Sequence, residues 1–189
     1  NCVGDWSQML EFRTPCPDVF TVPYEMDFDE YANNAYPECW ILKGASTSGN
    51  VPKVYNGSNC YDYNTGTKEG NVFYMSSYYT GYSYAILPEM NEPITNLQIS
   101  FYGYTWKTAD ISYVEIGVME DIDSSYLDPT VYWTSVPTND KLFTLVERVV
   151  ISEMKQWQSF LVSFDKYAGK GKRIAFRQGR HTTSSNGYF

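Results

Sequence analysis

The chain has 189 residues, of which 43% are hydrophobic and 19% are charged, so it can bury a core and is not a disordered segment. Its formal net charge of −8 at pH 7 disfavours binding to nucleic acids or anionic membranes, which needs clustered lysine and arginine. No apolar run is long enough to span a membrane as a helix.

The first eighteen residues are predicted to be the end of a neighbouring module. Residues 3–5 predict a tight turn and Met9–Arg13 a strand, and a hairpin of this size is too small to fold alone. Pro15 and Pro17 flank Cys16, as is typical of a junction between modules. We therefore divide the chain into a short N-terminal β-hairpin remnant, residues 1–18, and a main domain, residues 19–189.

From Phe20 onward, short apolar runs alternate with turn-forming residues, and no segment keeps a helical period. The predicted strands are Tyr24–Phe28, Trp40–Lys43, Asn71–Ser76, Tyr82–Leu87, Leu97–Tyr104, Ser112–Met119, Phe143–Ile151, Trp157–Phe164 and Arg173–Gln178. In several of them apolar and polar residues alternate, so one side of the strand faces a core. The predicted fold is all-β, a two-sheet antiparallel β-sandwich of the jelly-roll kind.

Four cysteines, Cys2, Cys16, Cys39 and Cys60, lack the spacing of zinc or redox motifs. An even number favours disulfides, which form in oxidising, extracytoplasmic compartments. Three pairings are possible, and the sequential one would close two local loops. Four buried thiols are the alternative.

Six sequence phrases occur in the order of a known family. They are Val22-Pro23-Tyr24 through Phe28-Asp29, Tyr36-Pro37-Glu38-Cys39-Trp40, Tyr84-Ala85-Ile86-Leu87-Pro88, Leu97–Tyr102, Val114–Met119 and Lys172–Arg177. Together they resemble the MAM-like or cleaved-adhesin jelly-roll domains of bacterial surface proteins, including the adhesin domains of gingipains. The resemblance covers Val22 to Phe189 and implies a secreted or cell-surface module.

Both ends of the chain resemble parts of larger proteins. Asn1-Cys2, Asp5-Trp6-Ser7 and Phe12-Arg13-Thr14 are similar to the last hairpin of a fibronectin type III module. The jelly-roll family continues past a pair like Tyr188-Phe189 into a further strand. The resemblance therefore implies that a final strand lies outside this sequence, and that the chain is part of a multidomain protein.

The resemblance also implies a structural calcium ion near the first strand of the main domain. Asp29 matches the acidic ligand position, and Asp27 and Glu30 are close enough in sequence to contribute. Calcium takes six to eight oxygen ligands, so further ligands are needed. The alternative is a short acidic stretch exposed to water.

Catalytic signatures are lacking, so we predict that the chain is not an enzyme. His181 is the single histidine, which excludes a multi-histidine metal site, and no nucleophile elbow, P-loop or HExxH sequence occurs. Glu115 and Asp165 could form the carboxylate pair of a glycosidase, but solvated charges on strand faces are the favoured interpretation.

The 18 tyrosines and 5 tryptophans suit strands, and also surfaces that stack on sugars. The candidate ligand-binding residues are Tyr55, Tyr61, Tyr79, Trp106 and Trp133. We predict a non-catalytic adhesion or ligand-binding module for a glycan or an extracellular or host glycoprotein. The alternatives are an accessory domain of a secreted protease or glycoside hydrolase, and a structural spacer whose rings cap the sandwich.

Overall fold

The computed structural model describes residues 16–44, 51–57, 60, 70–77, 82–105, 113–120, 142–179 and 187–188. Within these ranges the chain is built mainly from strands, with a 3₁₀ turn at Ile94–Asn96. The strands are β1 (Ile41–Lys43), β2 (Lys53–Asn56), β3 (Asn71–Tyr74), β4 (Ser76–Ser77), β5 (Ser83–Ile86), β6 (Gln98–Gly103), β7 (Tyr113–Met119), β8 (Phe143–Val150), β9 (Gln158–Ser163), β10 (Arg173–Gln178) and β11 (Gly187–Tyr188). The described part of the chain has no helix long and apolar enough to cross a membrane.

One layer is a five-stranded antiparallel sheet in the order β1-β5-β10-β7-β8. A β-bulge interrupts the β7–β8 register between Ile116 and Gly117. Gly117 has no side chain because a Cβ there would collide with the Thr144 carbonyl oxygen and the Phe143 ring. The close approach of β8 therefore depends on glycine at this position.

The opposite layer consists of antiparallel pairs, β2-β3 and β6-β9, with β11 paired to β4. The main core lies between the layers and contains Val114, Ile116 and Val118 of the large sheet with Val162 of β9. The Phe101 ring of β6 meets Phe176 of β10 edge to face at 5.3 Å. The predicted all-β sandwich is confirmed.

The predicted alternation is confirmed in β6 and β9 but is incomplete in β7. Residues 98, 100 and 102 are exposed while 97, 99 and 101 are buried or half-buried, as one-sided packing requires. In β7, residues 114–119 are all buried, because a second cluster that includes Met119, Phe143 and Tyr84 covers the other face of the large sheet.

Two predictions about strands are wrong. Residues 24–28 form no strand, because Phe28 has φ 67° and turns the backbone out of the extended conformation. Strand β2 is missing from the predicted strands, because Val54 is its one fully buried residue and the alternation signal is short.

Cys16 and Cys39 form a disulfide, with their Cα atoms 5.5 Å apart. The sequential pairing considered above is therefore wrong, because it would join Cys16 to Cys2. Cys60 is buried, and Cys2 lies outside the described residues. The bond ties the segment just before the main domain to the residue before Trp40, and it indicates an oxidising compartment.

The division at residue 18 stays a prediction. Residues 1–15, which include most of the hairpin and of the fibronectin-like segment, lie outside the described part of the chain.

Candidate ligand-binding cleft

A cleft of about 510 Å³ opens in the second layer of the sandwich, and we call it the aromatic cleft. Its lining residues are Tyr24, Met26, Asp27, Phe28, Trp40, Asn71, Val72, Phe73, Leu87, Ile99, Ser100, Phe101, Tyr102, Trp157 and Phe176. Eight of these are aromatic and three are polar or acidic. A concave, mostly apolar surface with a few polar groups is typical of a ligand site.

One end of the aromatic cleft is a cluster of three rings. Phe28 stacks on Phe73 at 5.4 Å, and Trp40 contacts Phe28 at 5.8 Å and Phe73 at 5.1 Å. The left-handed conformation of Phe28 directs its ring into this cluster instead of along a strand. Aromatic pairs at such distances stabilise one another by about 0.5–1.5 kcal/mol beyond their buried area.

Tyr24 lies beside this cluster of three rings and forms one wall of the cleft with it. Trp40 fixes the position of Tyr24. The indole Nε1 of Trp40 donates a hydrogen bond of 2.8 Å to the Tyr24 hydroxyl oxygen. Burial raises the pKa of Tyr24, and the bond from Trp40 offsets part of that rise. The phenol therefore stays neutral near pH 7, and its position depends on the disulfide-linked segment before β1.

The other wall is β6 with Trp157. Tyr102 points outward and is 71% exposed, so its ring is open to a ligand. Trp157 packs against Tyr104 at 5.1 Å. Phe101 points inward and forms the floor together with Phe176. Alternation along one strand thus supplies both a floor ring and a rim ring.

The acidic residues beside the cleft accept hydrogen bonds from backbone N–H groups. The Asp27 carboxylate accepts a 3.2 Å bond from the Asp29 N–H, and the Asp29 carboxylate accepts a 3.0 Å bond from the Asn71 N–H. Asn71 also donates from its side chain to the Tyr31 carbonyl oxygen at 2.8 Å. These bonds link residues 27–31 to the start of β3.

The described residues contain no group of three or more histidine, cysteine, aspartate or glutamate side chains placed to hold a metal ion. Asp27 and Asp29 share one turn, and Glu30 is exposed beside them. These carboxylates would fill only part of the six to eight positions that calcium needs. The calcium site therefore stays a prediction.

Four of the five predicted ligand residues, Tyr61, Tyr79, Trp106 and Trp133, lie outside the described residues. Tyr55 lies on β2, and its ring packs at 5.6 Å from that of Tyr74. It does not line the aromatic cleft.

Sequence reasoning missed the cleft because it assigned the rings of Trp40, Phe73 and Tyr102 to ordinary strands. The outward position of Tyr102 in the alternation of β6 was the one signal that pointed to it.

Glu115, one of the two carboxylates considered for a glycosidase, has a structural role. Glu115 accepts hydrogen bonds from Arg177 Nε at 2.7 Å and from Arg148 Nη2 at 2.6 Å. Arg177 also lies over the Tyr82 and Phe143 rings, at 4.5 and 4.1 Å from their centroids. The Glu115 carboxylate is 2% exposed and is bonded to both guanidinium groups, so it holds β7, β8 and β10 together and does not face a substrate. Asp165 is exposed, and His181 lies outside the described residues.

No family model and no curated protein matches the chain. Among solved structures, it is similar to the K2 cleaved adhesin domain of Lys-gingipain, with a TM-score of 0.54 and 14% identity over 85% of this chain and 88% of that one. It is also similar to the K1 cleaved adhesin domain of Lys-gingipain from Porphyromonas gingivalis, with a TM-score of 0.52 and 16% identity over the same shares. The chain therefore has an adhesin-domain-like β-sandwich fold.

Proposed function

We propose that the chain is a non-catalytic adhesion-type module that binds a glycan or glycoprotein ligand through the aromatic cleft. The observation that carries this proposal is the cleft itself, where rings line an open concavity beside Asp27, Asn71 and Ser100. Ring faces stack on apolar surfaces of a ligand, while amide, hydroxyl and carboxylate groups bond to its polar atoms.

The similar solved structures and the disulfide support the same proposal. The similar solved structures are named as cleaved adhesin domains of Lys-gingipain, and a domain of that kind belongs to a larger chain. The Cys16–Cys39 disulfide suits an extracellular place. We therefore place the module in a multidomain protein that is secreted or held at the bacterial surface.

Tyr102 is the residue on which to test ligand binding. Its ring is exposed at the rim, so Tyr102→Ala should remove a contact surface while leaving the core intact. If the ligand covers this ring by stacking on it, truncation should cost about 1 kcal/mol, or about fivefold in affinity. Binding would be screened on a glycan array and on immobilised extracellular glycoproteins.

Tyr36→Ala is the matched control, because Tyr36 is an exposed tyrosine that does not line the cleft. We expect it to bind like the unmodified protein. Absence of any ligand, or equal losses in the two variants, would reject the cleft as the binding site.

A further inference from the structure

We infer that the ligand lies across the outward face of β6 and β9, and that it is an uncharged oligosaccharide. This face meets the aromatic cleft at Ser100 and Tyr102, which belong to both. The inference rests on the proposed function and specifies the class of glycan and the surface that it covers. It depends on two exposed apolar side chains, on the lack of charge around them and on the area of the face.

The outward face is formed by the exposed residues that alternate with core residues along the two strands: Gln98, Ser100, Tyr102, Ser159, Leu161 and Ser163. The Phe164 N–H donates to the Leu97 carbonyl oxygen at 3.1 Å, which makes residues 97 and 164 a hydrogen-bonded pair. Bonding alternates along an antiparallel ladder, so the pairs 98–163, 100–161 and 102–159 are not hydrogen-bonded, and their side chains lie closest together. The six side chains therefore form one continuous strip.

Two side chains of this strip are large, apolar and open to solvent. Tyr102 is 71% exposed and Leu161 is 61% exposed, the highest values among the exposed large hydrophobic residues of the described ranges. They are diagonal neighbours, because Tyr102 lies opposite Ser159 and Leu161 lies opposite Ser100. A single exposed apolar residue is ordinary on a protein surface, whereas adjacent ones form a patch that a ligand can cover.

The outward face of β6 and β9 carries no charged side chain. Apart from Tyr102 and Leu161 it has three serines and a glutamine, whereas the exposed positions of β8 include Glu147 and Arg148. Hydroxyl and amide groups both donate and accept hydrogen bonds, as the hydroxyls of a sugar require, while apolar side chains cover its C–H surfaces. The net charge of −8 repels an acidic glycan, so an uncharged one fits this face.

The strip is held rigid because its inner side packs in the main core. Ile99, Phe101 and Phe160 contact that core from β6 and β9. The Phe101 ring lies 5.5 Å from that of Phe160 and 5.3 Å from that of Phe176 in the large sheet. A surface that is ordered before binding loses little conformational entropy on binding, which favours a small polar ligand that makes few contacts.

The area of the outward face suits an oligosaccharide better than a macromolecule. Five residues along each of two paired strands give a strip of about 140 Å². A stable protein interface takes about 800 Å² from each partner, so a protein would contact mostly residues outside this face. Nucleic acids and anionic membranes bind to lysine and arginine, which the face lacks.

The direct test is an NMR titration of the intact protein with neutral hexasaccharides, namely cellohexaose, maltohexaose, mannohexaose and N-acetylated chitohexaose. Hexagalacturonic acid serves as an acidic probe of equal length. We expect at least one neutral probe to shift the Leu161 methyl and Tyr102 ring resonances, and the acidic probe to shift neither. No shift at Leu161 with any neutral probe would overturn the inference.

Leu161 distinguishes the outward face from the aromatic cleft, because it belongs to the face but does not line the cleft. Leu161→Ala should weaken binding of the same neutral hexasaccharide by about fivefold, since it removes apolar surface that the sugar covers. Leu145→Ala is the matched control, because Leu145 is an exposed leucine on β8 in the other layer. We expect it to bind like the unmodified protein, with both variants melting as cooperatively as that protein. Equal affinities of the two variants would contradict the inference.

The outcomes also separate this inference from the proposed function. Binding that depends on Tyr102 but not on Leu161 would place the ligand in the aromatic cleft, which overturns the inference and leaves the proposed function standing. Binding of acidic glycans alone would have the same meaning. Absence of binding to any glycan or glycoprotein would overturn both.

Discussion

Tyr167 and Glu120 form a partly buried hydrogen-bonded pair, and the protonation of Tyr167 is linked to stability. Glu120 accepts bonds from the Tyr167 hydroxyl at 2.6 Å and from Thr144 at 2.7 Å. Burial, together with the bond to Glu120, raises the pKa of Tyr167 to about 12 from 10.0. The folded state thus holds this proton more tightly than the unfolded state, so its contribution is complete below pH 10 and is lost as pH rises toward 12. Urea unfolding should show a steeper loss of stability across this window in the unmodified protein than in Tyr167→Phe. Parallel profiles would contradict the assignment.

Substitution of Glu115 should show how much the fold is destabilised when the buried Arg177 loses its ion-pair partner. Its side chain is 2% exposed, as against 5% for Arg177 and 54% for Arg148. Glu115→Gln leaves Arg177 buried without its counter-ion, and we expect the free energy of unfolding to fall by about 3–5 kcal/mol. Arg148→Ala removes a partner that is largely in water, so its effect should stay below about 1 kcal/mol. Denaturant melts of both variants check the contrast, and similar losses would mean that Arg148 matters as much as Arg177.

At the scale of elements, local patterns predicted the strands that pack on one side. The polar-apolar alternation of β6 and β9 involves only neighbouring residues, so the sequence alone predicts it. The conformation of residues 24–28 could not, because Phe28 is held at φ 67° by rings from Trp40 and Phe73, which are distant in sequence. The aromatic cleft escaped prediction for the same reason. Alternation tells whether Phe73 or Tyr102 points in or out, but not which rings from distant parts of the sequence meet around one cleft.

The segment that leads into β1 depends on the Cys16–Cys39 bond, which spans a sequence separation of 23. A loop of this size implies a stabilisation of about 3 kcal/mol through restriction of the unfolded chain. The double variant Cys16→Ala, Cys39→Ala should lose about this much in non-reducing urea melts, and Tyr24 and Trp40 should become more accessible to fluorescence quenchers. A loss no greater than that of Tyr36→Ala would show that packing alone fixes the segment.

The whole molecule carries a net charge of −8, and cations should stabilise it in two distinguishable ways. Sodium chloride screens the overall repulsion and acts without regard to any one carboxylate. Calcium, if it binds near Asp27, Asp29 and Glu30, would act at a concentration where ionic strength hardly changes. We propose this calcium site on the family resemblance and on the shared turn of Asp27 and Asp29.

Asp29→Asn separates the two effects, because an amide oxygen can still accept the bond from the Asn71 N–H while the negative charge is lost. After chelator treatment, millimolar calcium chloride should raise the melting temperature of the unmodified protein above that in sodium chloride of equal ionic strength. The excess should vanish in Asp29→Asn, with its melting temperature in sodium chloride little changed. An equal response to both salts would show that the acidic turn serves only to bond the start of β3, and that the molecule needs no bound ion to hold its two layers together.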